Sequence, residues 1–193
     1  MAQGRIESPP GDRWVFGYGS LMWRPGFAFT ERRPAIAHGR RRAFCIYSVH
    51  HRGTPGRRGL VLGLAPGGAT RGAAYRIAAE AWPDVYAYLA EREQPTETYF
   101  EAWAHVRLDT GGLVEALVFL SDRAHPQWAG DLTFEEQAQL IAGASGLSGR
   151  NVDYLRDLVT HLRAEGVADR TMERLLARVE ELEAAEGRRS LAP

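Results

Sequence analysis

The sequence predicts an α+β fold, on three observations. Runs rich in aromatic and β-branched residues fill the first half, one helical stripe is embedded among them, and capped amphipathic stripes fill the last third. Strands followed by helices, rather than alternating with them, argue against a parallel α/β sheet.

Residues 1–13 are polar, with Pro9, Pro10 and Gly11, and read as a loosely ordered tail. Trp14 to Tyr18 is an aromatic and β-branched run stopped by Gly19, a buried strand. Arg24 to Arg33, with Pro25 and Gly26, reads as loop. A second strand is expected from Arg41 to Val49, through Phe44, Cys45, Ile46 and Tyr47. His51 to Gly59 reads as loop. Gly59 to Leu64 is a short strand, which Pro66-Gly67-Gly68 is expected to turn into a partner strand over Gly72 to Ile77, a hairpin.

Pro83 suits the first turn of a helix. Trp82, Val85, Tyr86 and Leu89 fall at i, i+3, i+4 and i+7, on one helix face. This helix is expected to end around Arg92 to Pro95, because proline disfavours helix in the residue before it. Tyr99 to Leu108 and Leu113 to Leu120 read as strands joined by a turn at Asp109-Thr110-Gly111-Gly112. Thr133 and Glu136 have capping-box spacing ahead of Phe134, Gln137, Ala138 and Ile141. Ser148 or Asn151 caps the next helix, with its stripe at Leu155, Leu158, Val159 and Leu162. Asp169 or Thr171 starts the final one, where Leu175, Leu176, Val179 and Leu182 face inward. One domain is expected over residues 14–187, at roughly 100–200 residues per domain, with a short tail at 188–193.

Composition excludes several chemistries. There are 24 basic and 24 acidic residues, so overall charge favours neither nucleic acid nor an anionic membrane. Every basic residue is arginine. A lysine Schiff base and a phosphate-loop lysine are therefore excluded. Cys45 is the single cysteine, which rules out an internal disulfide and a multi-cysteine metal site. No apolar run approaches the roughly 20 residues of a spanning helix. The N-terminal stretch lacks the apolar core of a secretory signal, so a cytoplasmic location is expected. Nothing in the pattern specifies an oligomer.

Gly17-Tyr18-Gly19-Ser20-Leu21 is the first candidate site. Two glycines around one aromatic residue permit a sharp turn and close approach to a ligand. Backbone N–H groups after such a turn can hold a carboxylate or an oxyanion. Position 22 is methionine, so this is not a dinucleotide fingerprint. Ser20 lacks the strand-serine-helix context of a hydrolase elbow. Glu93 sits at the expected C-terminus of a helix, where the dipole disfavours a carboxylate and raises its pKa; by itself it reads as a solvated helix-end charge or as an acid/base group. Glu91 points elsewhere, toward solvent. Arg52 and Arg150 are each able to grip a carboxylate by a forked pair of hydrogen bonds. Adjacent His50 and His51 point to opposite faces of a strand, no third ligand follows, and no metal site is read. Cys45, within a strand, reads as core.

Val15-Phe16-Gly17-Tyr18-Gly19-Ser20-Leu21-Met22-Trp23 resembles the opening motif of the ChaC family of γ-glutamylcyclotransferases. His51-Arg52-Gly53-Thr54-Pro55-Gly56 with Gly59-Leu60-Val61 resembles the family's central loop and strand. Gly72-Ala73-Ala74-Tyr75-Arg76 resembles the strand after it, and the stretch from Ser145 to Leu155 its C-terminal helix start. Tyr88-Leu89-Ala90-Glu91-Arg92-Glu93 resembles the segment carrying the catalytic glutamate, at the position of Glu93. The resemblance covers about residues 14 to 165.

It implies a small β-barrel decorated by helices, with the site at its mouth beside the first strand. It implies Glu93 as the catalytic residue and Tyr154 as a substrate-site residue; Tyr18, Gly19, Ser20 and Leu21 of the motif turn, and Arg52 by its forked donors, are the other expected substrate-binding residues. The implied reaction turns glutathione, a small-molecule substrate, into 5-oxoproline and cysteinylglycine, with no cofactor. Gln94-Pro95-Thr96-Glu97 departs from the family's pattern beside the site, which bears on loop geometry and substrate preference. Two other readings stand: a different γ-glutamyl amine or peptide as substrate, and a non-catalytic γ-glutamyl-binding regulator.

Overall fold

The computed structural model describes residues 11–93, 98–130 and 132–190. Most of the expected N-terminal tail, the departure at Gln94-Pro95-Thr96-Glu97 and residues 191–193 lie outside the described residues. In chain order the elements are β1 (Arg13–Gly17), a 3-10 turn (Ser20–Met22), β2 (Glu31–Ser48), β3 (Gly59–Ile77), α1 (Trp82–Glu93), β4 (Tyr99–Leu108) and β5 (Leu113–Ser121). Then come α2 (Phe134–Ile141), the two-residue strands β6 (Ser145–Gly146) and β7 (Gly149–Arg150), α3 (Asn151–Ala164) and α4 (Arg170–Ser190). The longer strands close a barrel in the order β1-β3-β2-β4-β5. The α+β class and the barrel are as expected.

Pairing explains why β1 is a continuous apolar run. It is antiparallel to β3, with Phe16 opposite Ala74, and parallel to β5, with Val15 opposite Leu117. Neither edge is free, and Val15 and Phe16 are wholly buried, as strands covered on both faces are. β4 and β5 form the expected hairpin; the Leu108 N–H donates to the Gly112 carbonyl at 2.8 Å.

Two strand expectations are corrected. β2 begins at Glu31, well before Arg41. Pro34 and the arginines around it have weak strand propensity, but Ala35, Ile36 and Ala37 pair with Leu108, Arg107 and Val106 of β4. Tertiary pairing overrides propensity. The expected hairpin at Pro66-Gly67-Gly68 does not form, and β3 runs through it unbroken. Gly67 and Gly68 do adopt positive φ, 87° and 70°. Such residues serve a reversal, yet they also bend a continuing strand, as in a bulge. Here Arg41 donates to the Pro66 carbonyl and Thr70 Oγ1 to the Arg40 carbonyl at 2.9 Å, keeping the chain in the sheet.

The chain divides into two compact units. The first draws on the chain up to Ala43 and on Gly63–His125. Its core includes Phe16, Tyr75, Leu89, Leu117 and Phe119. The second draws on Phe44–Leu62 and the chain from Pro126. Its core includes Phe44, Ile46, Leu60, Ile141 and Leu155. In this unit the capping box forms: the Thr133 N–H donates to Glu136 Oε2 at 2.7 Å, and the Glu136 N–H to Thr133 Oγ1 at 3.3 Å. Asp169, not Thr171, caps α4, accepting from the Met172 N–H at 3.2 Å. Neither Ser148 nor Asn151 caps α3. Its N-cap is Arg150, without a side-chain bond, because the Asn151 side chain is committed to the backbone of Leu60. Among the described residues no helix is long and apolar enough to cross a membrane.

Candidate active site

The first unit builds a turn at the end of β1. A Cβ on Gly17 would lie 2.8 Å from Leu21 Cβ, so only glycine lets the 3-10 turn fold back over the strand end. Buried side chains hold the turn from below. Arg42, 7% exposed, donates from Nε to the Tyr18 carbonyl at 2.8 Å and from Nη2 to the Arg71 carbonyl at 2.6 Å. The Tyr75 hydroxyl lies 2.8 Å from the Leu21 carbonyl and 3.0 Å from that of Met22. Tyr18 turns its ring inward, and its hydroxyl donates to the Phe119 carbonyl at 3.0 Å. The Tyr18 side chain therefore anchors the turn. Met22 N–H closes the turn on the Gly19 carbonyl at 2.9 Å. The N–H groups of Ser20 and Leu21 precede the first bond such a turn can make.

Arg42→Met tests this support. It removes the fork and leaves the Tyr18 and Arg71 carbonyls short of a partner, at about 1–3 kcal/mol for each buried group left unsatisfied. A lower urea midpoint together with loss of turnover is expected. Native stability in this variant would show that the fork is idle.

The last turn of α1 carries Arg92 and Glu93. Val85 and Leu89 are buried on the inner face of this helix, and Glu91 is exposed, as expected. The Glu93 side chain is 20% exposed, and its Oε1 lies 3.2 Å from Arg92 Nε. Its pKa is raised, in the direction expected. The main cause is burial, and the Arg92 charge and hydrogen bond oppose it. From the same guanidinium, Arg92 Nη2 donates to Ser20 Oγ at 2.9 Å. The acid/base candidate and the motif turn are thus joined through one side chain.

The second unit holds a separate grouping. The Arg52 guanidinium stacks over the Tyr154 ring at 5.1 Å and donates from Nη1 to the Arg150 carbonyl at 3.3 Å. Tyr154 also meets Phe44 edge-on, with centroids 5.7 Å apart. Arg150 is engaged elsewhere: its Nη2 bonds Glu183 Oε2 of α4 at 2.6 Å. His51 Nδ1 lies 3.0 Å from Ser148 Oγ. Among the described residues no three His, Cys, Asp or Glu side chains gather as a metal site requires.

The family model of ChaC-like proteins matches residues 13–182. The chain belongs to the ChaC-like family. A glutathione-specific γ-glutamylcyclotransferase of Escherichia coli (strain K12) is 40% identical over 172 residues, covering 89% of this chain and 74% of that one. Glutathione-specific γ-glutamylcyclotransferase 1 of Homo sapiens is 31% identical, over 84% of this chain and 75% of its own. A crystal structure of a γ-glutamyl cyclotransferase specific to glutathione, from yeast, superposes with a TM-score of 0.79 at 27% identity. It covers 89% of this chain and 96% of that one.

In this ChaC-like chain, sequence reasoning missed Arg92 and Arg42, and it read Asn151 only as a helix cap rather than as the partner of Leu60. Arg92 gave no signal beyond standing beside Glu93. Arg42 did give one: it shares the period-2 face of Phe44 and Ile46, and all three are buried. An arginine in register with core residues points inward.

Proposed function

We propose that this ChaC-like chain is a glutathione-specific γ-glutamylcyclotransferase that converts glutathione into 5-oxoproline and cysteinylglycine. One observation carries the reading: a half-buried carboxylate of raised pKa, Glu93, is tied through Arg92 to Ser20 of the motif turn. The names of the E. coli, human and yeast relatives support the same substrate.

The chemistry follows from the residues. The γ-glutamyl α-amine is an ammonium at neutral pH and carries no lone pair. Glu93, as carboxylate, takes one of its protons. The freed nitrogen attacks the substrate's own γ-carbonyl carbon, forming a C–N bond and a five-membered ring. The tetrahedral intermediate then expels the cysteinyl amide nitrogen, to which Glu93 returns the proton. The ring nitrogen's remaining surplus proton goes the same way, so no water is consumed and no net proton is released. The N–H groups of Ser20 and Leu21 stand as donors to the substrate carboxylate or to the oxyanion. Closing the ring within one molecule supplies the entropic advantage. Residues 14–187 act as one catalytic domain under this reading, and glutathione as substrate suits a cytoplasmic protein.

Arg52 and Tyr154 are assigned to substrate recognition. Arg52→Ala removes a charged hydrogen-bond donor of about 1.5–3 kcal/mol, so KM for glutathione should rise roughly tenfold or more with kcat little changed. An unchanged KM would remove Arg52 from the site. The test of the whole reading is incubation of the purified protein with glutathione, without added metal. Equimolar 5-oxoproline and cysteinylglycine are expected. Binding of glutathione with no 5-oxoproline released would make the chain a binder instead. Faster turnover of another γ-glutamyl compound would reassign the substrate.

A further inference from the structure

We propose that Arg92 is a positioning residue that sets the Glu93 carboxylate against the Gly19–Leu21 turn by bonding both at once. This rests on the assignment of Glu93 as proton carrier. All three guanidinium nitrogens of Arg92 are engaged, on different parts of the first unit. Nε faces Glu93 Oε1 at 3.2 Å. Nη2 donates to Ser20 Oγ at 2.9 Å. Nη1 donates to the Arg24 carbonyl at 2.6 Å, the Pro25 carbonyl at 3.2 Å and the Tyr88 hydroxyl at 2.8 Å. The carboxylate, the motif hydroxyl and the chain leaving the turn therefore share one rigid planar hub. The Arg92 side chain is 22% exposed, so this hub differs from a solvated surface pair, which contributes little.

The geometry requires arginine. A lysine keeps the charge but presents one nitrogen, and cannot span carboxylate, hydroxyl and carbonyls together. Arg92 also opposes what burial does to Glu93, drawing its pKa back down. A carboxylate that must be ionised to accept a proton near neutral pH needs that opposition. Among the described residues, Arg92 also bonds Tyr88 of α1, Ser20 of the turn, and the Arg24 and Pro25 carbonyls just beyond it. Arg92 is the one whose charge acts on Glu93.

The experiment compares native protein with Arg92→Gln and Arg92→Lys, measuring glutathione kinetics across pH and thermal melting. A displacement of about 1 Å at a reacting group costs on the order of 100-fold, so Arg92→Gln should lose that factor in kcat. KM should stay within about 3-fold of native, the mark of an interaction made in the transition state. The acid limb of kcat should move to higher pH. Arg92→Lys should restore the limb but only part of the rate. Native kcat in Arg92→Gln, or a lower kcat with the acid limb unmoved and the melting temperature reduced, overturns the proposal. If Arg92→Gln does not fold, Arg92→Lys decides: full native kcat overturns it, and a folded protein with reduced kcat and an unmoved limb supports it. Glu93→Gln separates the two readings. Its inactivity beside a fully active Arg92→Gln sinks only the role of Arg92; its activity sinks the assignment of Glu93.

Discussion

Glu93→Gln is expected to leave a folded protein that no longer releases 5-oxoproline from glutathione at a useful rate. The amide that replaces the carboxylate cannot accept a proton, so the loss should be that of a general acid–base group, roughly 10²–10⁴-fold. The native pH profile carries the same signature. Because burial raises the Glu93 pKa, the acid limb of activity should lie above the ordinary glutamate range, and activity should fall as pH drops through it. The linkage has a definite sign. A raised folded pKa means that the folded state favours the protonated form. That contribution to stability is complete in acid and is lost as pH rises through the folded pKa. At neutral pH the ionised native carboxylate is therefore a net burden on the fold. Glutamine carries no charge, so Glu93→Gln should melt no lower than native at neutral pH, and the two should converge in acid. An active Glu93→Gln would remove the glutamate from the mechanism. An inactive variant that melts far below native would make Glu93 a structural residue instead.

Glu93 was legible through the resemblance of Tyr88–Glu93 to the family's glutamate segment; its place at the end of a helix with a clear stripe, Val85 and Leu89 turned inward, only supported that reading. The helix dipole, which predicts a raised pKa there, is a local effect. The larger cause is burial, and burial depends on contacts that one element's pattern does not contain. Elements with strong local signals came out as read: the Thr133–Glu136 capping box, the turn at Asp109–Gly112 and the run of β1. Failures cluster where pairing at long range decides. Ala35 to Ala37 is a strand only because β4 lies beside it. Gly67-Gly68 serves a hairpin or a bend equally well until the barrel chooses between them. The motif at Gly17–Leu21 showed that a backbone turn was wanted. It did not show that Arg42, Tyr75 and Arg92 hold that turn, because each reaches it from a distant stretch of chain.

Asn151→Ala should be strongly destabilising, although its sequence context suggests only a helix cap. Asn151 is wholly buried. Its Oδ1 accepts from the Leu60 N–H at 2.7 Å and its Nδ2 donates to the Leu60 carbonyl at 2.8 Å, the pairing a neighbouring strand would make. Its own N–H donates to the Ala144 carbonyl at 2.8 Å. One side chain thus satisfies both backbone groups of a buried residue at the start of β3. Alanine leaves both unsatisfied, at about 1–3 kcal/mol each, a large share of a total stability of about 5–15 kcal/mol. Denaturation in urea should show the midpoint falling with little change in slope. Asn151→Asp sharpens the test, because aspartate keeps the shape but has no donor for the Leu60 carbonyl. At neutral pH it also buries a charge, so it should be at least as damaging as alanine. If aspartate were tolerated, the paired hydrogen bonds would not be what holds this site. Function should follow stability here. Tyr154 stands three residues beyond Asn151 on α3, under the Arg52 guanidinium. A start of α3 released from Leu60 would shift the ring on which Arg52 stacks. A variant that still folds at low temperature should therefore show a raised KM for glutathione before it shows a lowered kcat.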